Sequence, residues 1–319
     1  MNKSSGRTIW LACTAAAALV AAALRRGQLG SAFEEGTGPA IPGAPASVIL
    51  LCVIALAGAW MVLLVMHQAP SRRLRDAGQE CRWDMVFLNT GSPVYPVLEI
   101  AAALMALVSI PVLFIVGVEQ WKLYQEMVAA ELQPPSNNGL LTLATAAGAF
   151  LAALGLLQMG RDGLRPGRRG RGGFAAALPG AAGCIWLMES FRSHAANPVQ
   201  WDYAPQLLAI VLGMTFYMDL AGMSAGAARP RRLLWMAGMT VIFSAISLVS
   251  TAVELSALRA VQAPILSAQL GDLFLLISQT LAAFGVLWHL PPRLADPPKT
   301  RNTARSSPTQ EIQEDTTDE

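Results

Sequence analysis

Between Met236 and Ser256 the chain reads MAGMTVIFSAISLVSTAVELS, a run apolar enough to cross a bilayer that nevertheless carries Thr240, Ser244, Ser247, Thr251 and Glu254. Their spacing of four, three, four and three puts all five on one helical face. Asp272 and Gln279 lie beyond the following loop. Glu254 and Asp272 flank that loop, and Ser247 and Gln279 each lie seven residues inward, about 10 Å at 1.5 Å per residue. Two chemistries fit this set. Ser244, Ser247, Thr251, Glu254, Asp272 and Gln279 form a polar path, with Glu254, Asp272 or Asp219 binding cations or protons. Alternatively they form a seam of interhelical hydrogen bonds worth about 0.6 kcal/mol each.

Two further carboxylates fall inside apolar runs: Glu99, and Asp219 in FYMDLAG. Ionisable groups in hydrocarbon are costly and are functional candidates by default. Both lie about one turn inside the same end of their runs, so Asp219 can reach Arg229 or Arg231 in the next loop. An intramembrane hydrolase needs a nucleophile and base, or paired aspartates, at one depth, and Glu99 with Asp219 is the pair the sequence offers for that. The chain shows no His-Glu-x-x-His zinc helix, no Walker-type phosphate loop and no dinucleotide fingerprint; GRRGRGG near Gly167 follows no strand and reads as a flexible basic loop. The expectation is a noncatalytic protein with no cofactor and no resident metal.

The elements that must position these residues follow from composition. Of 319 residues 54% are hydrophobic and 14% charged, against about 25% charged in soluble domains. The charges cluster between apolar runs long enough for a hydrocarbon core about 30 Å thick. Outer-membrane barrels would instead show alternating runs of about ten residues. Eight spans are expected: Thr8 to Leu24, Ala46 to His67, Pro96 to Val118, Gly139 to Gly160, Phe174 to Ser190, Tyr203 to Met223, Leu233 to Glu254 and Leu270 to Leu290. The fold class is therefore all-α, a polytopic membrane bundle of about eight transmembrane helices in successive antiparallel hairpins. Counting Lys and Arg alternately by loop places 18 on the side of both termini and five on the other. That asymmetry makes both termini cytoplasmic. Dropping one internal span would reverse every later loop and destroy it.

The 20 Arg against three Lys, with Ala and Gly enrichment, suggest a GC-rich genome and a bacterial cytoplasmic membrane. The basic cytoplasmic loops face anionic headgroups. Nucleic-acid binding lacks the folded aromatic-bearing domain it needs. Unknown protein partners stay open. Residues 1–290 are read as the transmembrane domain and 291–319 as a disordered cytoplasmic tail, since PPRLADPPKTRNTARSSPTQEIQEDTTDE has almost nothing apolar to bury. The first span has a rival reading as a cleavable signal peptide, opposed by Arg25 and Arg26 just beyond it.

Cys13, Cys52 and Cys184 fall in spans and Cys81 in a loop, which implies no disulfide framework. His67, His194 and His289 sit near span ends and read as interfacial. At Pro111 and in the LPGAAG stretch, Leu178 to Gly183, helices could break toward a cavity or only kink for packing, since proline and glycine are common in membrane helices. The openings GVEQW, LMESF and AVELS, with Glu119, Glu189 and Glu254, hint at a diverged hairpin repeat, although topology alone generates much of that pattern. Two functions fit: a small-solute or ion transporter, which requires a water-accessible cavity, or a noncatalytic scaffold or accessory subunit, which requires a dry bundle.

Overall fold

The computed structural model describes residues 3–33, 41, 43–68, 83–87, 92–133, 139–164, 172–194, 203–227, 229–260 and 267–295. Among these the chain forms eight long helices and no strand: α1 (Lys3–Ser31), α2 (Pro45–Gln68), α3 (Val94–Ala129), α4 (Leu140–Leu164), α5 (Ala177–His194), α6 (Ala204–Gly222), α7 (Pro230–Ala260) and α8 (Ala268–Ala295). Single helical turns at Trp83–Val86 and Gly172–Ala175 precede α3 and α5. All eight long helices carry a segment long and apolar enough to cross a membrane.

Burial follows the rule of a lipid-solvated bundle. Large apolar side chains face outward, with Leu19 72%, Leu56 69% and Leu51 68% exposed. An apolar belt of that kind is a liability in water, and in a bilayer it is the correct solvent contact. Buried positions run instead to Ala, Gly and hydroxyl residues, which let helix backbones approach closely. The share of each span that is buried separates centre from rim: 72% for α7 and 61% for α8 against 17% for α2. α8 packs against α3, α7 and α1, α4 lies between α3 and α5, and α6 bridges α5 to α7. α2 rests on α1 and α7.

Glycines fix several of these registers. Leu113 of α3 packs on Gly271 of α8, and Tyr95 and Glu99 lie beside Gly285. On α4, Gly160 meets Ile100 and Gly148 meets Ala182. At Gly139, ahead of α4, the backbone takes φ +76°, and a Cβ there would strike the Gly117 carbonyl and lie 2.8 Å from the Trp121 nitrogen. Only glycine combines that left-handed backbone with so close an approach.

Helix continuity differs from the expectation at two places. α3 runs unbroken through Pro111 for 36 residues, about 54 Å at 1.5 Å per residue, so it overruns the expected end at Val118. The LPGAAG stretch is helical too; the interruption falls at Ala176, before it. Pro179 is the third residue of α5, within the first turn, where backbone N–H groups lack intrahelical partners and proline costs little. α1 also outruns its expected span and carries Arg25 within the helix. α1 packs into the bundle through Trp10 and Ala21, both fully buried. Helix α8 continues to Ala295, and the remainder of the tail expectation lies outside the described residues, as does Cys81.

Candidate functional site

The face of α7 that carries Thr240, Ser244, Ser247 and Thr251 is buried throughout, the four being 0–3% exposed, while Glu254 is half-buried. Ser247 donates to the Phe243 carbonyl of its own helix at 2.9 Å. Gln279 reaches Ser244 rather than Ser247: its Nε2 donates to the Ala209 carbonyl at 2.7 Å and lies 3.3 Å from Ser244 Oγ. One residue outside the predicted stripe, Ser250, accepts from Nε of the buried Arg25 at 2.8 Å and ties α1 to α7. This face has the geometry of a helix seam. Ser247→Ala is expected to cost less than about 1.7 kcal/mol, the upper end for such contacts, in reversible unfolding in mixed micelles. A larger loss would mean that Ser247 holds a neighbouring helix.

Asp272, on α8, belongs to a different cluster. Its carboxylate accepts from Trp186 Nε1 at 2.7 Å and from Gln206 Nε2 at 3.0 Å, so α5, α6 and α8 meet there. One turn beyond Trp186 stands Glu189, 2% exposed and within electrostatic range of Asp272. Thr142 Oγ1 lies 3.2 Å from Glu189 Oε1 and 3.0 Å from Gln120 Oε1. Its single proton is therefore given to one of them. Glu189, Trp186, Thr142 and Gln120 were not singled out as site residues from sequence. The i, i+3 spacing of Trp186 and Glu189 was the available signal.

Beneath this cluster lies a cavity of about 40 Å³ bounded by α3, α4, α5, α6 and α8. Trp186 stands at one end and Tyr217 in the wall, with Thr145, Ser278 and Gln279 as polar members and Ala106, Ala149, Ala182 and Gly183 among the small ones. Of the predicted path only Gln279 lines it. Ser278 donates to the Ala102 carbonyl at 2.7 Å, which holds α8 on α3 beside the cavity. The volume suits roughly two or three waters, and the polar groups give them partners.

Glu99 lies two turns along α3 from Ala106 and is completely buried. Among the described residues neither of its oxygens has a hydrogen-bond partner, nor does the neighbouring Tyr95 hydroxyl or Asp162 Oδ2. The other Asp162 oxygen accepts from Gln158 at 2.9 Å. Asp219 is arranged differently: it pairs with Arg232 at 2.9 Å, the arginine being 44% exposed. Arg232 thus makes an ion pair with it, the expected Arg229 also acts on it electrostatically, and contacts so open to solvent are worth little.

His289, near the end of the last span, is buried within the bundle. Its Nε2 lies 2.6 Å from the Val86 carbonyl, and its ring stacks in a cluster with Phe87 and Tyr95. The side chains of His67 and His194 lie outside the described set. Cys13, Cys52 and Cys184 are free thiols. Comparison with protein-family models, with curated proteins and with solved structures finds no match to the chain.

Proposed function

We propose that the protein is a small-solute or ion transporter of a bacterial cytoplasmic membrane, and that the cavity between α3, α4, α5, α6 and α8 is its chamber. The observation that carries this reading is the placement of buried carboxyl groups at either end of one cavity, Glu189 and Asp272 beyond Trp186 and Glu99 beyond Tyr217. Unpaired or clustered carboxyls in a hydrocarbon-embedded bundle are expensive, and ion pathways are where such a cost is retained. The small residues of the wall permit helices to slide past one another with little steric penalty. We further propose successive antiparallel hairpins with both termini cytoplasmic, supported by the 18 to five distribution of Lys and Arg and by the opposed registers of α3 with α4 and α8. In that orientation the basic loops meet anionic headgroups. The role is noncatalytic.

The accessory-subunit reading draws on α2, whose span is 17% buried and which packs only at the rim, on α1 and α7. Thiol labelling separates the two. In a background lacking the native four cysteines, Ala182→Cys and Ser278→Cys in the folded protein are expected to react with a water-soluble thiol reagent, whereas Ser247→Cys in the seam is not. Protection of both chamber positions would remove the transporter reading and leave the accessory role.

A further inference from the structure

We propose that Glu99 is a reversible proton-binding site, loaded and unloaded through the chamber by way of Tyr217. Only its role as the coupling site of transport rests on the transporter reading; proton binding itself does not.

The argument is one of donors and acceptors. Glu99 is completely buried: Tyr95 stands on its own helix, Gly160 on α4, Tyr217 on α6 and Gly285 on α8, with Asp162 of α4 beside Tyr95. Four buried oxygens, both of Glu99, Oδ2 of Asp162 and the Tyr95 hydroxyl, make no bond of good geometry among the described residues, and the Tyr95 hydroxyl stands near enough to Glu99 to interact with it. The titratable groups facing the site are Tyr95, Asp162 and Tyr217, and His289 lies behind Tyr95 with its Nε2 engaged by the Val86 carbonyl. None of these is a permanent cation. An ionised carboxylate left dry and unpaired would cost far more than a bundle can bear, whereas a neutral carboxylic acid costs only its missing hydrogen bonds. A proton bonded to one Glu99 oxygen removes that cost and makes the carboxyl a donor toward the Tyr95 hydroxyl beside it.

A proton held there needs a route, and Tyr217 supplies it. Its ring lines the chamber, and its hydroxyl lies within electrostatic reach of Glu99. On loading, the hydroxyl gives its proton to the carboxylate while taking one from a hydronium in the chamber, which is left as water; unloading is the reverse, so charge and atoms balance. Gly285 matters as well: a Cβ there would lie 3.6 Å from Glu99 Oε1 and 3.4 Å from the Tyr95 ring, so the glycine leaves the carboxyl room to turn.

Infrared difference spectroscopy on the full chain in lipid, with glutamate carbon-13 labelling, tests this. The expected result is a protonated-carboxyl stretch that shifts with the label, is absent in Glu99→Gln, moves on transfer to D2O and disappears reversibly at alkaline pH. Tyr217→Phe should retain the band and slow its deuterium exchange by about a hundredfold, the low side of what a positioned proton-transfer group contributes. That second variant carries the test should Glu99→Gln fail to fold. Absence of the band, a band indifferent to D2O and pH, or its replacement by a carboxylate band on adding sodium would each overturn the proposal. A titrating Glu99 in a protein whose chamber cysteines stay protected would preserve the proton site and remove the transport reading.

Discussion

Asp272→Ala is expected to destabilise the bundle by about 2–4 kcal/mol, because two donors lose their acceptor at once and each buried unsatisfied group costs about 1–3 kcal/mol. Trp186 Nε1 is the better buried of the two, so most of the loss comes from it; Gln206 is part-buried and can turn toward other partners. A competing effect has the opposite sign. Removing one carboxylate relieves its repulsion with Glu189, and like charges in a low-dielectric interior interact strongly. Asp272→Asn decides between them. It removes the charge, keeps the shape and retains one acceptor oxygen, so it should fall between wild type and Asp272→Ala if hydrogen bonding dominates. Were repulsion dominant, it would be more stable than wild type. Unfolding in mixed micelles, followed by Trp186 fluorescence against a Trp186→Phe control, reads the order directly. Equal stability of all three proteins would show that the cluster does not hold α5, α6 and α8 together.

The second large effect concerns the α4–α5 seam. Alanine at Gly155 places a methyl against the Ala175 carbonyl, 2.9 Å from Pro179 Cδ and 3.2 Å from Leu178 Cβ. Ala175 presents backbone and Pro179 a ring, neither of which swings aside as a flexible side chain would. Overpacking of this kind costs about 1–3 kcal/mol. Gly148, two turns away on the same helix, is the internal control: its added methyl would sit 3.4 Å from Ala182 Cβ, close to ordinary contact. Gly148→Ala should be near neutral, since alanine also recovers about 0.5–1 kcal/mol of backbone entropy relative to glycine. Detergent melting of the two variants should therefore separate clearly. Similar melting temperatures would mean that α4 and α5 adjust more freely than their packing indicates. Ala152, Leu156 and Pro179 line the chamber beside this seam, so a shift at Gly155 also alters the space a solute would occupy.

The sequence by itself determined the eight membrane-length helices, because span length is a local property: about 20 apolar residues satisfy both the hydrocarbon thickness and the backbone. It also placed the five polar groups of α7 on one face, a matter of periodicity alone, while leaving open whether that face is a path or a seam. Partners were another matter, because they depend on rotation and height between segments far apart in the chain. Gln279 meets Ser244 rather than Ser247, a difference of three residues, about 4.5 Å along the axis, which no single-helix pattern resolves. Asp219 takes Arg232 for the same reason. The role of Glu189 was hidden because its place at a helix end and its i, i+3 spacing from Trp186 name no partner on another helix; only the packing of α5 against α4 and α8 surrounds it with Thr142 and Asp272. Glu99 was legible as an intramembrane carboxylate and was read as shallow enough to find water or an arginine. The tertiary structure closed α4, α6 and α8 over it and left Tyr95 as its nearest polar neighbour among the described residues, because enclosure is decided by neighbouring helices and not by distance from the end of its own.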